Sequence, residues 1–269
     1  MIRLQNRSLS HQRLLLAGLG GLAIALLLGA GQSTDPAPAA PAPVARGFLY
    51  RTMTLDGKTV AYNLFVPPSY SPDRNWPTIL FLHGSGERGS DGFFQTDVGI
   101  AHAIRRNHTL VPALVVMPQC PSNAIWNKPE SAKMALACVE DASRDYKVDA
   151  SRVYLTGLSM GGRGCWFLAA RVRNAFAAMV PICGGGDPAD AAKLTEIPIW
   201  AWHGSADKNV PISETEAIVE AIKAAGGKIE FSRIPGGEHN VWDRAYGDAK
   251  LWQWLFAQQL PEKSKTKSK

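Results

Sequence analysis

Residues 152–162 read RVYLTGLSMGG, and this segment is the most informative one for the fold. Its first half is rich in strand-forming residues, and its second half holds the pattern G-x-S-x-G with Ser159 at the centre. Because Gly157 and Gly161 carry no side chain, the chain can turn there sharply from a strand into a helix, which leaves the serine exposed as a nucleophile. A tight turn that contains a serine without a catalytic role can have the same sequence pattern. The interpretation therefore requires a candidate acid and a candidate base elsewhere in the chain.

Strand and helix patterns alternate on both sides of this stretch. The apolar or alternating runs predict strands at 48–54, 58–66, 78–82, 112–117, 152–156, 178–182, 197–202 and 228–234. Helical patterns begin near Pro129 and cover 160–172, 214–225 and about 248–259. We therefore expect an α/β fold, a mostly parallel twisted sheet with helices on both faces and no large lid.

Two local signals refine this expectation. Asp56-Gly57 lies between the first two strands and predicts an antiparallel hairpin at the N-terminal edge of the sheet. Ser213 and Glu216 have the spacing of a capping box at the start of the helix 214–225. The chain should thus begin antiparallel and continue as a parallel sheet.

A serine hydroxyl is inert without a base, and in this class of fold the order along the chain is serine, acid, histidine. Asp207 is our candidate acid, because it lies in a polar loop directly after the apolar run 199–202. Asp187 and Asp243 are the reserve candidates, and a turn or helix-capping role for Asp207 is the alternative. The position of Asp207 predicts a carboxylate at the carboxyl end of a strand.

His239 is our candidate base. The chain has six histidines, and only His203 and His239 follow Ser159. His203 ends a strand before the acid, whereas His239 lies in a glycine-containing loop after the last predicted strand. His239 therefore fits a residue that takes the proton of Ser159 while an acid orients its ring.

Acyl transfer also needs hydrogen-bond donors for a developing oxyanion. The backbone N–H of Met160 is one candidate, because it follows the nucleophile. The N–H of Ser85, in the loop after the strand 78–82, is the second, with Gly86 in reserve. We expect His83 in the same loop to hold the loop by hydrogen bonds and not to act as a second base.

The segment 84–89, GSGERG, also satisfies the dinucleotide-binding pattern G-x-G-x-x-G directly after a strand. A nucleotide site would need a helix opening inside the motif and an acid at the end of the next strand. More loop follows the motif here, and the next strand runs into Pro118 and Gln119 without an acid. The sequence therefore argues against a nucleotide site.

The two ends of the chain differ from its body. Residues 1–31 have a basic start and an uncharged apolar run, which predicts a signal peptide or, if it is not cleaved, a membrane anchor. Residues 32–45 predict a Pro/Ala-rich linker, 46–261 the catalytic domain and 262–269 a Lys-rich disordered tail. We expect an exported protein, periplasmic or secreted, that meets a membrane only through an uncleaved N-terminal segment.

Charge and cysteine content limit the partners. The formal net charge is +6, but most of that excess lies in the two ends, so the body offers no basic surface for nucleic acid. The four cysteines allow three disulfide pairings, among which the sequence does not choose. No pair has C-x-x-C spacing, which argues against structural zinc, and we expect no metal.

Taken together, FLHGSGERG, GLSMGG, HGSADKNVP and GGEHNVW resemble the α/β-hydrolase superfamily over residues 46–258. They are most similar to its small lidless branch of poly(3-hydroxybutyrate) depolymerase-like proteins, feruloyl and acetyl-xylan esterases, and proteins labelled predicted peptidases. The resemblance implies a triad of Ser159, Asp207 and His239 and no cofactor. It also implies an aromatic residue near the acyl pocket, for which Trp126 is the candidate, with ordinary packing as the alternative.

The expected function is cleavage of carboxylic esters through an acyl-enzyme, with a small-molecule or polymer-bound ester as substrate. Without a lid there is little apolar surface to hold a long acyl chain, so short acyl groups or acyl groups on a polymer are favoured. A serine peptidase that uses the same residues is the alternative. A binding protein without catalysis is a weaker one.

Overall fold

The computed structural model describes residues 44–261, in which the predicted runs form one eight-stranded sheet. The strands are β1 (Gly47–Leu55), β2 (Lys58–Val66), β3 (Trp76–Leu82), β4 (Leu114–Pro118), β5 (Val148–Leu158), β6 (Ala178–Ile182), β7 (Ile199–Gly204) and β8 (Ile229–Ile234). Their order in the sheet is β1-β2-β4-β3-β5-β6-β7-β8. β1–β2 and β2–β4 pair antiparallel and the other neighbours pair parallel, so the predicted fold class is confirmed.

The turn between β1 and β2 is the predicted two-residue hairpin. Leu55 pairs with Lys58, and Asp56 and Gly57 have φ values of 49° and 74°. Positive φ at both central residues is the type I′ turn, whose twist matches that of the two strands it joins. Local turn chemistry thus accounts for the antiparallel edge of the sheet.

The helices in the described residues are α1 (Ile100–Arg106), α2 (Pro129–Asp145), α3 (Met160–Ala169), α4 (Ser213–Ala224), α5 (Trp242–Gly247) and α6 (Ala249–Phe256). The four predicted helices correspond to α2, α3, α4 and α6. The periodic pattern of the sequence missed α1 and α5, which have 7 and 6 residues and so span too few turns to show a helical period. It also missed two 3₁₀ segments, Phe94–Thr96 and Pro188–Lys193.

The predicted capping box at the start of α4 is wrong. Ser213 is the first helical residue and Ile212 holds the capping position, with no side-chain capping bond. The N–H groups of Glu214 and Glu216 donate instead to the carbonyls of Pro211 and Ile212. Because these turns satisfy the first amides with backbone oxygens, the helix has no need of a side-chain cap there.

The sheet separates two apolar layers. Along β3, Leu80 and Leu82 point into one layer and Ile79 and Phe81 into the other, as the two-residue period of a strand requires. Helices α2, α3 and α4 cover the first layer, and α1, α5 and α6 cover the second. Since parallel strands end at the same edge, the loops after β3, β5, β7 and β8 meet there. No inserted lid domain is present in residues 44–261.

All four cysteines are buried and none is paired, so none of the three possible pairings forms. Burial raises the pKa of the Cys120 thiol to about 11, which keeps it protonated at neutral pH. The cysteines therefore behave as small apolar core residues.

The predicted N-terminal segment 1–31, nearly all of the linker 32–45 and the tail 262–269 lie outside the described residues. Their assignments stay predictions. Between residues 44 and 261, no helix combines the length and the apolar character needed to cross a bilayer.

We predict that Gly57→Ala lowers the free energy of unfolding by about 1 kcal/mol, because an L side chain is disfavoured at positive φ. Gly247→Ala is the matched control: its added methyl group also meets no atom within 4 Å, but its φ is not positive. The control should be neutral or slightly stabilising. Urea denaturation of both variants measures the difference, and equal destabilisation would contradict the role of the turn.

Candidate active site

Ser159 lies on a strained turn between β5 and α3. Its φ is 53° and its ψ is −116°, an uncommon conformation for a residue with a side chain. A side chain at Gly161 would overlap the carbonyl oxygen of Leu82, and a Cβ at Gly157 would lie 2.6 Å from the Gly161 carbonyl oxygen. The glycines therefore let α3 approach β3 closely, and the serine is presented at the carboxyl edge of the sheet.

Three side chains predicted from separate parts of the sequence form a hydrogen-bonded chain at this edge. Nε2 of His239 lies 2.9 Å from Oγ of Ser159. Nδ1 of His239 lies 2.7 Å from Oδ2 of Asp207. Asp207 follows β7 and His239 follows β8, so the three residues come from loops after three strands of the sheet.

The side chain of Asp207 is fully buried. Burial tends to raise the pKa of its carboxyl, but hydrogen bonds from the N–H groups of Val210 and Asn209 and from His239 outweigh it, and the pKa is lowered. Asp207 is therefore a carboxylate at neutral pH.

This carboxylate sets the tautomer of His239. A carboxylate oxygen only accepts, so the proton of the neutral ring resides on Nδ1. The lone pair of Nε2 then faces the hydroxyl of Ser159 and can take its proton. The ring of Trp242 packs against that of His239 in a T-shaped arrangement, with the ring centroids 5.3 Å apart. The arrangement can activate a serine oxygen for attack on an electrophilic carbon.

The two expected oxyanion donors lie on the same cleft as the serine. Ser85 and Met160 line, with Ser159 and His239, an open cleft of about 610 Å³. Met160 is the first residue of α3, so its N–H has no partner within the helix. Their use as oxyanion donors stays a prediction.

His83 holds the loop that carries Ser85. Its Nδ1 donates to the carbonyl oxygen of Gly84 at 2.6 Å, and its Nε2 accepts from the N–H of Cys120 at 2.9 Å. Burial lowers the pKa of His83 to about 4, so the ring is neutral and both nitrogens are occupied. The structure agrees with the expected loop-holding role of His83.

Trp126 lies behind the cleft. Its side chain is only 1% exposed, and its Nε1 donates to the carbonyl oxygen of His83 at 2.9 Å. The cleft is lined instead by its neighbours Ile125 and Asn127. Trp126 therefore has the packing role that was the alternative in the sequence analysis. Its buried position does not support the expectation that it contacts substrate.

The reserve acids have other positions. Asp187 caps the following 3₁₀ segment by accepting from the N–H of Ala189. Asp243 lies in the first turn of α5 and lines a different cavity. Neither contacts His239 among the hydrogen bonds and ion pairs found in residues 44–261.

Several polar residues of the cleft were not predicted from the sequence: Arg88, Asn127, Arg163 and Asn209. Arg163 could have been found, because it lies one helical turn after Ser159 on α3. Nothing in the local pattern distinguishes Asn127, which reaches the cleft only through the fold. Asn127 and Arg163 also line a second cavity of about 510 Å³, where Arg163 pairs with Glu214 at 2.5 Å.

Cys183, His203 and Asp207 are the group in residues 44–261 whose ligand atoms could surround a metal ion, with those atoms within 4.8 Å of one another. Burial raises the pKa of the Cys183 thiol to about 12, so it stays protonated. Nε2 of His203 faces two oxygen acceptors, the Val210 carbonyl and the Asp207 carboxylate, and so carries a proton. The Cys183 thiol and the Nε2–H of His203 are therefore protonated groups that face the Asp207 carboxylate, an arrangement that fits hydrogen bonding better than metal ligation.

The chain is similar to known hydrolases. The model of the dienelactone hydrolase family matches residues 119–248. An endo-1,4-beta-xylanase Y from Acetivibrio thermocellus is 26% identical, over 74% of this chain and 22% of that protein. A bifunctional acetylxylan esterase/xylanase from Neocallimastix patriciarum is 30% identical, over 59% of this chain and 23% of that protein. This chain thus spans less than a quarter of the length of either relative.

A solved structure extends the likeness to three dimensions. The crystal structure of a thermostable esterase superimposes with a TM-score of 0.69 at 33% identity, covering 79% of this chain and 63% of the other. The sheet order, the serine turn and these matches agree with the superfamily that the sequence motifs resemble.

We predict that Asp207 stabilises the fold in a pH-dependent way. Because its folded pKa lies below the ordinary 3.8, its contribution is complete above pH about 4 and is lost as the pH falls through the folded pKa. The difference in free energy of unfolding between the wild type and Asp207→Asn should therefore shrink as the pH falls from about 4 to about 2. Chemical denaturation at a series of pH values measures this difference.

Asp187→Asn controls for the loss of a carboxylate outside the Ser159–His239–Asp207 chain. A difference for Asp207→Asn that does not change with pH would contradict the prediction.

Proposed function

We propose that this member of the α/β-hydrolase superfamily is a serine carboxylic-ester hydrolase with Ser159 as nucleophile, His239 as base and Asp207 as the acid that orients the base. The observation that carries the proposal is the hydrogen-bonded chain from Oγ of Ser159 through His239 to the buried Asp207. The match to the dienelactone hydrolase family and the likeness to a thermostable esterase support ester chemistry.

In the proposed mechanism, Nε2 of His239 takes the proton of Ser159 as its Oγ attacks the ester carbonyl. The N–H groups of Met160 and Ser85 stabilise the oxyanion, and the helix dipole of α3 adds to this effect. His239 then protonates the departing alcohol, which leaves an acyl-enzyme. Water activated by the same histidine releases the acid and restores Ser159. These residues carry out both halves without a cofactor.

The shape of the site supports short acyl groups or acyl groups attached to a polymer. The cleft is open and carries polar and charged side chains, which offer little apolar surface to a long alkyl chain. The second cavity adjoins the cleft at Asn127 and Arg163, so a substrate can extend past the reacting carbonyl. Its walls include Arg163, Glu214 and Asp190, which suit a hydroxylated group.

The N-terminal segment 1–31 supports export. Its basic start and apolar run are the pattern of a signal peptide, and we propose a periplasmic or secreted enzyme that is membrane-anchored only if the segment stays uncleaved. The nearly neutral body supports substrates other than nucleic acid.

We predict that Ser159→Ala lowers kcat/KM on 4-nitrophenyl acetate by at least about 10³-fold, because the acyl-enzyme cannot form. A series from acetate to palmitate should show faster turnover of the short esters. Ser85→Ala is the matched control: it removes a hydroxyl from the same cleft but keeps the N–H proposed as donor, so most of the activity should remain.

Equal activity of the wild type and Ser159→Ala would exclude Ser159 as nucleophile. Cleavage of aminoacyl-nitroanilides without ester cleavage would favour a peptidase. A wild type that neither turns over any substrate nor reacts with a serine-directed fluorophosphonate would favour a binding protein.

We further predict that Ala217→Trp impairs substrates that reach the second cavity. Ala217 is exposed on α4 and lines that cavity, so a large ring there fills it. The ratio of kcat/KM on an acetylated oligosaccharide to kcat/KM on 4-nitrophenyl acetate should fall about tenfold. Ala224→Trp, an exposed alanine at the end of the same helix, is the control, and an unchanged ratio in Ala217→Trp would remove the cavity from substrate binding.

A further inference from the structure

The carboxylate of Asp207 has a second imidazole neighbour besides His239. His203 is the fifth residue of β7, is fully buried, and places its Nε2 3.2 Å from Oδ2 of Asp207. This is the same oxygen that accepts from Nδ1 of His239 at 2.7 Å. An imidazole ring on β7 and another in the loop after β8 therefore both face one carboxylate oxygen.

The hydrogen bonds of His203 fix which nitrogen carries its proton. Nε2 lies 2.9 Å from the carbonyl oxygen of Val210, and neither this carbonyl nor the carboxylate can donate, so Nε2 is protonated. Nδ1 lies 2.7 Å from Oγ1 of Thr215, whose hydroxyl donates to it when the ring is neutral. Burial, the largest influence, lowers the pKa of His203 and keeps the ring neutral.

Polar groups face both carboxylate oxygens of Asp207. Asn209 and Val210 donate backbone N–H groups to Oδ1, and both histidines face Oδ2. The protonated thiol of Cys183 also faces the carboxylate from the end of β6. Hydrogen bonds with Val210 and Thr215 fix the ring of His203, so its position beside the carboxylate is fixed as well.

We propose that His203 is a positioning residue for the ester hydrolysis proposed above, acting through Asp207. Its Nε2–H holds Oδ2 at the position from which that oxygen accepts from Nδ1 of His239, and it offsets part of the carboxylate charge. Without it, the carboxylate keeps its contact with His239 but holds the ring less firmly, and its undiminished charge favours the protonated ring. His203 itself touches neither Ser159 nor the cleft.

The test compares His203→Leu with His203→Gln. Leucine fills the space without a donor, whereas glutamine retains an N–H that can reach the same oxygen. In His203→Leu, kcat/KM on 4-nitrophenyl acetate should fall about tenfold, as expected for the loss of a polar contact to a charged group. The acid limb of its pH profile should move to higher pH, and His203→Gln should recover most of both properties.

A second measurement needs no turnover. Titration of the Asp207 carboxyl carbon by ¹³C NMR should give a pKa closer to 3.8 in His203→Leu than in the wild type, because the carboxylate has lost a donor. Ile222→Ala, a core variant of the same helix as Thr215, controls for lost stability. It should lower the thermal midpoint without moving the acid limb or the carboxyl titration.

A His203→Leu variant with wild-type acid limb and carboxyl titration would overturn the proposal and leave His203 a packing residue. The same conclusion follows if Ile222→Ala moves both properties as far, or if glutamine recovers nothing. A wild type without ester hydrolysis would instead refute the proposed function, while the carboxyl titration would still decide whether His203 positions Asp207.

Discussion

The close approach of α3 to the sheet is the constraint on which the site depends. Side chains at Gly157, Gly161 or Gly162 would collide with the backbone of β3, β6 or α3 itself. Their absence lets the chain reverse within one residue, and that residue, Ser159, takes a positive φ. The strain is local and is held by the strands on both sides of β5, which pair with β3 and β6.

The site is organised around the buried carboxylate of Asp207. Hydrogen-bond donors stabilise its charge by more than burial destabilises it. Removing a charge from water is costly unless hydrogen bonds replace the water, and Asp207 receives two from backbone N–H groups and one from His239. The same donors that make burial tolerable fix where the carboxylate points. Stability and the orientation of His239 thus follow from one set of contacts.

The substrate-facing side of the cleft is less constrained than the serine turn. Ser85 and Met160 sit on segments held by the sheet and α3, whereas Asn127, Arg163 and Asn209 are polar side chains on an open surface. In enzymes, binding residues often lie on loops that a rigid scaffold positions, and the loops at this edge of the sheet have that arrangement.

The positions of Ser159, Asp207 and His239 were predictable because each lies directly after a strand with its own local signal. The eight strands and the Asp56-Gly57 turn were predictable for the same reason, since period and turn chemistry act over a few residues. The short helices α1 and α5 were not, because packing against the sheet stabilises them and not their own propensity. Ser213 and Glu216 have the spacing of a capping box. The N–H groups of Glu214 and Glu216 instead donate to backbone carbonyls at Pro211 and Ile212, so no side-chain cap forms.

Local sequence patterns therefore predict the strand–helix alternation, the serine turn and the positions of Ser159, Asp207 and His239, which the fold joins by hydrogen bonds. Only the tertiary structure decided that Trp126 is buried behind the cleft, that Asn127 and Arg163 line two cavities, and that His203 shares a carboxylate oxygen with His239. The two kinds of feature differ in how far apart along the chain the residues that determine them lie. Turns and the hydrophobic periods of strands and helices are set by neighbouring residues. Burial and hydrogen bonds between distant side chains depend on which strands become neighbours in the sheet.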